Sequence, residues 1–222
     1  MFIGHYGVSF AAKRFTPTTS LGVLFLAVQL LDVLFAVFVF AGIEKLRIVP
    51  GFTQYNPYDL YYMPYSHSLA GALGWSIAAG LLAWGLGARG ASPWIAAAVF
   101  SHFLLDVPMH TPDMPILGNS SPKIGLGLWR HRDLALAAEL VTLAIGLWMW
   151  RRAPTLQPWA RTRTIAFVVF LFVLTLATPF LPPPRDGIQF AWQALAGYVV
   201  LAAVAGWLDR QSRSGDRAQA RR

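Results

Sequence analysis

Cysteine is absent from the chain. Its absence excludes disulfides, iron–sulfur clusters and thiolate zinc sites, so any bound metal must be held by nitrogen and oxygen. Charge is scarce as well: only 13% of the 222 residues are Asp, Glu, Lys or Arg, and ten are acidic. With 56% hydrophobic residues and a mean hydropathy of +0.50, the composition excludes an ordinary soluble domain and places the chain in a bilayer. The amino terminus lacks the positive start, apolar run and small-residue cleavage site of a secretory signal, since Lys13 and Arg14 follow the first apolar residues. Residue 1 is therefore expected to be retained.

The formal charge of +8 does not point to nucleic acid, because the basic residues lie in connecting loops and in a polar tail rather than on one aromatic-interleaved surface. Apolar stretches long enough to cross a ~30 Å hydrocarbon core recur instead. They predict an all-α, polytopic helix bundle of about six spans, at residues 18–42, 67–87, 93–108, 133–150, 164–181 and 188–208. Residues 1–208 form one membrane-embedded domain on this reading, and 209–222 a disordered basic tail. Pro93 opens the third helix and Pro108 should close it. Twelve of the eighteen Lys and Arg fall on the side of the termini, so the positive-inside rule puts both termini in the cytoplasm.

Within the oily stretches stand residues that water would normally keep. An aspartate at a helix centre costs roughly 2.5–3.5 kcal/mol on insertion scales unless a partner or ion compensates it. His102 and Asp106, four apart, share one helix face and can serve one ion. His67 opens the second span, where a helix N-terminus disfavours the imidazolium and keeps the ring neutral. Asp32 lies among Leu, Val and Phe and must face the bundle interior. Residues 2–12 are apolar but too few to span. Either they form a re-entrant helix that lifts His5 to the depth of Asp32, or they lie at the interface and leave His5 at the surface.

Other polar residues are weaker candidates. His110, Asp113 and His131 are assigned to a loop on the same membrane side as His67, and a polar loop often carries such residues without using them. Glu139 reads as an outer-shell acid or a helix–helix hydrogen bond. Trp129-Arg130-His131-Arg132 is either a phosphate grip or an ordinary interface flank. Trp75, Trp84, Trp94, Trp129, Trp148, Trp150 and Trp207 fall near span ends, as an interfacial belt does.

The order His5, Asp32, His67-Ser68, Ser101-His102-x-x-x-Asp106 resembles the YdjM-like family of bacterial inner-membrane metal-dependent hydrolases, over roughly the first half of the chain. The acidic motif here keeps one aspartate, Asp32, and Tyr65-Ser66 stand before His67. The lipid-phosphate phosphatases are a rival by motif, but Ile95 and Ala96 occupy the place of their phosphate-gripping arginine. The resemblance implies a hydrolase whose divalent metal, zinc by donor type, is held by His5, Asp32, His67, His102 and Asp106. Asp32, His102 and Asp106 would carry the catalysis, on a phosphoester or lipid-like substrate among membrane lipids. A transporter or proton relay lined by the same His and Asp is the alternative.

Overall fold

A computed structural model describes residues 3–151 and 158–219. The chain is mainly helical: α1 (Tyr6–Phe15), α2 (Leu21–Val28), α3 (Leu30–Phe40), α4 (Leu69–Gly85), α5 (Ser92–Met109), α6 (Arg132–Arg151), α7 (Pro158–Ala177) and α8 (Gly187–Gln219). Two antiparallel hairpins, which periodicity did not indicate, lie between helices. β1 (Lys45–Ile48) pairs with β2 (Tyr58–Tyr62), and β3 (Met114–Pro115) with β4 (Lys123–Ile124).

A helix stands at each of the six expected spans, but among the described residues only α6, residues 163–180 of α7 with its trailing turn, and residues 187–210 of α8 are long and apolar enough to cross a membrane. A fourth crossing arises if α2 and α3 count as one span bent by 58°. The expectation of about six is thus corrected. α4 has only 17 residues, and α5 gives part of its length to His102, Asp106 and Pro108. α8 also runs on to Gln219, through most of the segment expected to be a disordered tail.

α1 does not lie on a surface. It packs against α2, α5 and α6, and Ile3, His5, Tyr6 and Phe10 are fully buried. The approach to α6 is close because both contact residues are glycines: a methyl at Gly146 would overlap the Gly7 backbone, and one at Gly7 would overlap the Thr142 carbonyl. At its other end α1 is fastened to α8 by Lys13, whose ammonium sits 2.7 Å from Asp209 Oδ1 and also donates to the Pro17 and Thr19 carbonyls.

Two breaks in the helices shape the interior. The α2–α3 bend falls at buried Gln29 (φ −98°, ψ 8°), where the carbonyls ending α2 lose helical partners and can accept from elsewhere. Pro108 does not end α5. The helix runs to Met109, and the His110 N–H still bonds the Asp106 carbonyl, so the helical path continues one residue further. The loop after β4 then seals this end, Leu126 N–H and Gly127 N–H donating to the Val107 and His110 carbonyls. Gly125 and Gly127 make that turn at φ of +154° and +77°, which side-chain-bearing residues rarely adopt.

Candidate metal centre

His102 and Asp106 lie one turn apart on α5, both buried, with Nε2 3.0 Å from Oδ2. The other three sequence-selected residues converge on them. His67, just before the α4 N-cap Ser68, brings its Nε2 to 3.7 Å from Asp106 Oδ2 and 3.3 Å from Asp32 Oδ1. Asp32 enters from the first turn of α3, its Oδ1 3.5 Å from His102 Nε2. His5, at the start of α1, stacks on His102 with ring centroids 4.0 Å apart and sets its Nε2 3.5 Å from Asp106 Oδ1. His5, His102 and Asp106 form one group with metal-binding spacing, and Asp32, His67 and His102 a second, sharing His102.

A sixth member is His110. Its Nε2 is 3.6 Å from Asp106 Oδ2, so residues 102, 106 and 110 form one stripe at four-residue spacing. That signal was present in the sequence. It was obscured by Pro108, which led to His110 being assigned to a loop.

The outer contacts of three rings fix which nitrogen carries hydrogen. His102 Nδ1 is 2.7 Å from the Val28 carbonyl at the α2–α3 break, and a carbonyl can only accept. His110 Nδ1 donates to Asp113 Oδ1 at 2.9 Å, and Asp113 Oδ2 accepts the Thr111 hydroxyl. His67 Nδ1 is 2.8 Å from Ser66 Oγ, whose single hydrogen goes to Glu44 Oε2, so the serine accepts from the imidazole. Glu44 is itself held by the Tyr65 and Ser66 N–H groups.

His67, His102 and His110 therefore all turn Nε2 toward one oxygen of Asp106, and in a neutral ring that nitrogen carries a bare lone pair. His102 Nε2 is buried between two carboxylates, 3.0 Å from Asp106 Oδ2 and 3.5 Å from Asp32 Oδ1. Lone pairs and a carboxylate facing one another repel unless a proton or a metal cation lies between them. Atoms sharing one ion at ~2.1 Å sit roughly 3–3.5 Å apart, close to the 3.0–3.7 Å separations here. Histidines whose second nitrogen is held by a carboxylate, hydroxyl or carbonyl are also the usual ligands of metal sites. The groups His5–His102–Asp106 and Asp32–His67–His102 have the spacing to hold a metal ion, and His110 stands beside them against Asp106.

His5 differs. Its Nε2 lies 3.2 Å from the His102 carbonyl, which it can approach closely only as a donor, so that nitrogen is engaged with the backbone. Asp32 has a second anchor that sequence reasoning missed: Tyr198 of α8 donates its hydroxyl to Asp32 Oδ2 at 2.7 Å. A tyrosine inside an apolar span carries no spacing signal that would have marked it.

The remaining candidates lie outside the cluster. Glu139 is in neither group with metal-ligand spacing. Its Oε2 accepts the Ile3 and Gly4 N–H groups at 3.2 Å and its Oε1 the Tyr55 hydroxyl at 2.7 Å, anchoring the arm that carries His5. Burial, with the Glu139 carboxylate beside it, pushes the Tyr55 phenol well above its ordinary pKa and keeps that donor protonated. His131 is exposed. Trp129 packs on His110 with ring centroids 4.1 Å apart, Arg132 donates to the Gln54 carbonyl, and Arg130 borders a separate polar cleft with Lys123, Asp59 and Asp113.

The cluster opens on a cavity of about 510 Å³, within the range of small-ligand sites. Asp32, His67, Asp106, His110 and Tyr198 form its polar end. Phe35 of α3, Leu60 and Met63, the ends of α7 and α8, and residues 50–58 complete the walls. No family model, curated protein or solved structure matches the chain.

Proposed function

We propose that the chain is a multi-pass membrane hydrolase using a divalent metal held by His67, His102, His110 and Asp106. The observation that carries this reading is the convergence of three imidazole Nε2 atoms on one Asp106 oxygen at the edge of a cavity, within the His/Asp groups that have metal-ligand spacing. Three imidazoles and a carboxylate, without thiolate, suit zinc. When bound, such an ion polarises the scissile bond and lowers the pKa of a water to about 7.

The remaining work falls to the chain. Asp32 Oδ1 borders the cavity within 3.5 Å of two ligand nitrogens, which places it to take a proton from the attacking water. Tyr198 holds the other Asp32 oxygen and so fixes the carboxylate's direction. The Ser66–Glu44 and Thr111–Asp113 contacts keep the His67 and His110 lone pairs aimed inward. His5 braces His102 by stacking.

The chain order of His5, Asp32, His67, His102 and Asp106 supports membership of the YdjM-like family. That resemblance supports a bacterial inner membrane, and the loop charges support cytoplasmic termini with the site toward the outer face. Metal analysis of detergent-purified protein tests the reading. Wild type supplied with zinc at neutral pH should carry about one equivalent and His102→Ala much less. Wild type that stays metal-free under those conditions replaces the hydrolase with the proton relay.

A further inference from the structure

α7 and α8 follow one another in the chain and are packed together mainly at one end. Phe167 and Leu171 of α7 are buried in one apolar cluster with Leu201, Ala202 and Ala205 of α8, at the ends of the two helices far from their connection. Nearer the connection α8 rests on α3 instead: Ala191 is fully buried and Phe190 meets the Phe35 ring edge-on at 6.2 Å. α7 is less supported there, and from Leu176 to Pro183 no residue is buried. The cavity lies at this end of the pair, lined by Leu174 and Thr178 from α7 and its closing turn and by Phe190, Gln193, Ala194 and Tyr198 from α8.

The outer side of this pair faces hydrocarbon. Those lining residues fall within residues 163–180 and 187–210, the segments long and apolar enough to cross a membrane. On α7 and its closing turn, Val173, Leu176 and Phe180 lie away from the Leu174–Thr178 face and are exposed. On α8, Ile188, Trp192 and Val199 lie opposite Phe190 and Ala194 and are exposed too. At α7, then, one helix thickness, about 10 Å with side chains, separates the cavity from lipid. This stretch is also weakened as a helix. The Thr175 and Thr178 hydroxyls donate to the Leu171 and Leu174 carbonyls at 2.8 and 2.7 Å, contacts that compete with the backbone ladder and bend helices, and a 3-10 turn containing Pro179 ends it. Few buried contacts are the mark of a segment that opens locally.

We infer that the cavity is filled from within the bilayer: an amphiphile dissolved in the membrane enters sideways between the connected ends of α7 and α8, and residues 174–181 are the gate that swings outward to admit it. The wall at the gate carries uncharged Thr178 and Gln193 among Leu174, Phe190 and Ala194, so both parts of an amphiphile meet suitable groups on the way in. Beyond the gate lie Tyr198 and Asp32, at the cluster. The route is independent of any reaction; only the statement that this amphiphile is the substrate rests on the hydrolase reading.

Because the chain has no cysteine, single introduced thiols test the route in full-length protein held in phosphatidylcholine nanodiscs, where both faces meet water. Ala194→Cys reports from the cavity, Val173→Cys from the lipid side of α7, and Ser120→Cys, exposed between β3 and β4, from water. The probes are N-dodecylmaleimide dissolved in the bilayer and a sulfonated maleimide confined to water. Ala194→Cys should react with the dodecyl probe about as fast as Val173→Cys does, and with the sulfonated probe at least about tenfold more slowly than Ser120→Cys. Adding Thr178→Trp or, independently, Gln193→Trp should slow the dodecyl reaction at Ala194→Cys severalfold, with the reaction at Val173→Cys and the thermal midpoint unchanged. Fast sulfonate labelling at Ala194→Cys overturns the inference, since the cavity is then filled from water. Dodecyl labelling that is slow, or indifferent to both tryptophans, overturns it as well. Neither probe needs zinc or turnover. Labelling from the bilayer in a protein that takes up no zinc counts against the hydrolase and leaves the route standing, whereas zinc uptake with labelling from water counts against the route and leaves the hydrolase standing.

Discussion

Tyr198 donates its hydroxyl to Asp32 Oδ2 at 2.7 Å, joining residues 166 positions apart in the chain. The bond leaves Asp32 Oδ1 free to face His67 and His102, at 3.3 and 3.5 Å. Tyr198→Phe keeps the ring and removes only the donor. A hydrogen bond to a charged group is worth roughly 1.5–3 kcal/mol, so Asp32 should lose its fixed direction while the ligands keep theirs. We predict wild-type zinc content with kcat reduced at least about tenfold and KM nearly unchanged, as expected when a transition-state interaction is lost. Loss of zinc in this variant would instead make Tyr198 part of the metal-holding structure.

Asp113 meets the cluster through His110 Nδ1, at 2.9 Å. Replacing it with Asn removes the charge that orients the ring, and losses of outer partners of this kind weaken metal affinity by roughly 10–100-fold. Asp113→Asn should show that loss in competition with a chelator. His131→Ala, at an exposed position outside the cluster, should bind zinc as wild type does.

The chemistry of this site was more legible than its architecture. His102 and Asp106 announced themselves because a helix puts residues four apart on one face, and Asp32 because a carboxylate among Leu, Val and Phe needs a partner. His110 ranks only as a weaker candidate because Pro108 puts it in a loop, although a proline in the last turn leaves the next N–H able to bond. Gln29 gave no sign of the 58° bend that presents the Val28 carbonyl to His102. The hairpins were hidden for a similar reason, since strands of two to five residues are too short for alternation to register.

The placement of α1 depends on its glycine contact with α6. A methyl at Gly146 meets the Gly7 backbone rather than a side chain that can swing away, so the helices must separate and carry His5 off its stack on His102. Overpacking of this kind costs roughly 1–3 kcal/mol. Gly146→Ala should lower the thermal midpoint, whereas Gly74→Ala on α4, where a methyl meets nothing within 4 Å, should leave it level or raise it. Equal midpoints for the two variants would show that the α1–α6 approach is not a tight constraint.

Glu139 offers the sharpest separation between holding the fold and holding the metal. Its carboxylate serves three buried donors, the Ile3 and Gly4 N–H groups and the Tyr55 hydroxyl, and each donor left unsatisfied costs roughly 1–3 kcal/mol. In Glu139→Ala all three lose this acceptor. In Glu139→Gln the amide oxygen can still serve the two N–H groups, while Tyr55 can reverse and accept from the amide nitrogen. The alanine variant should therefore be clearly less stable than the glutamine variant, with faster amide hydrogen exchange over residues 3–8. Zinc content should stay near wild type in both, because His67, His102, His110 and Asp106 are held by contacts that do not pass through Glu139. Zinc lost from the glutamine variant in step with that faster exchange would put His5 among the ligands and move the centre of the site toward α1.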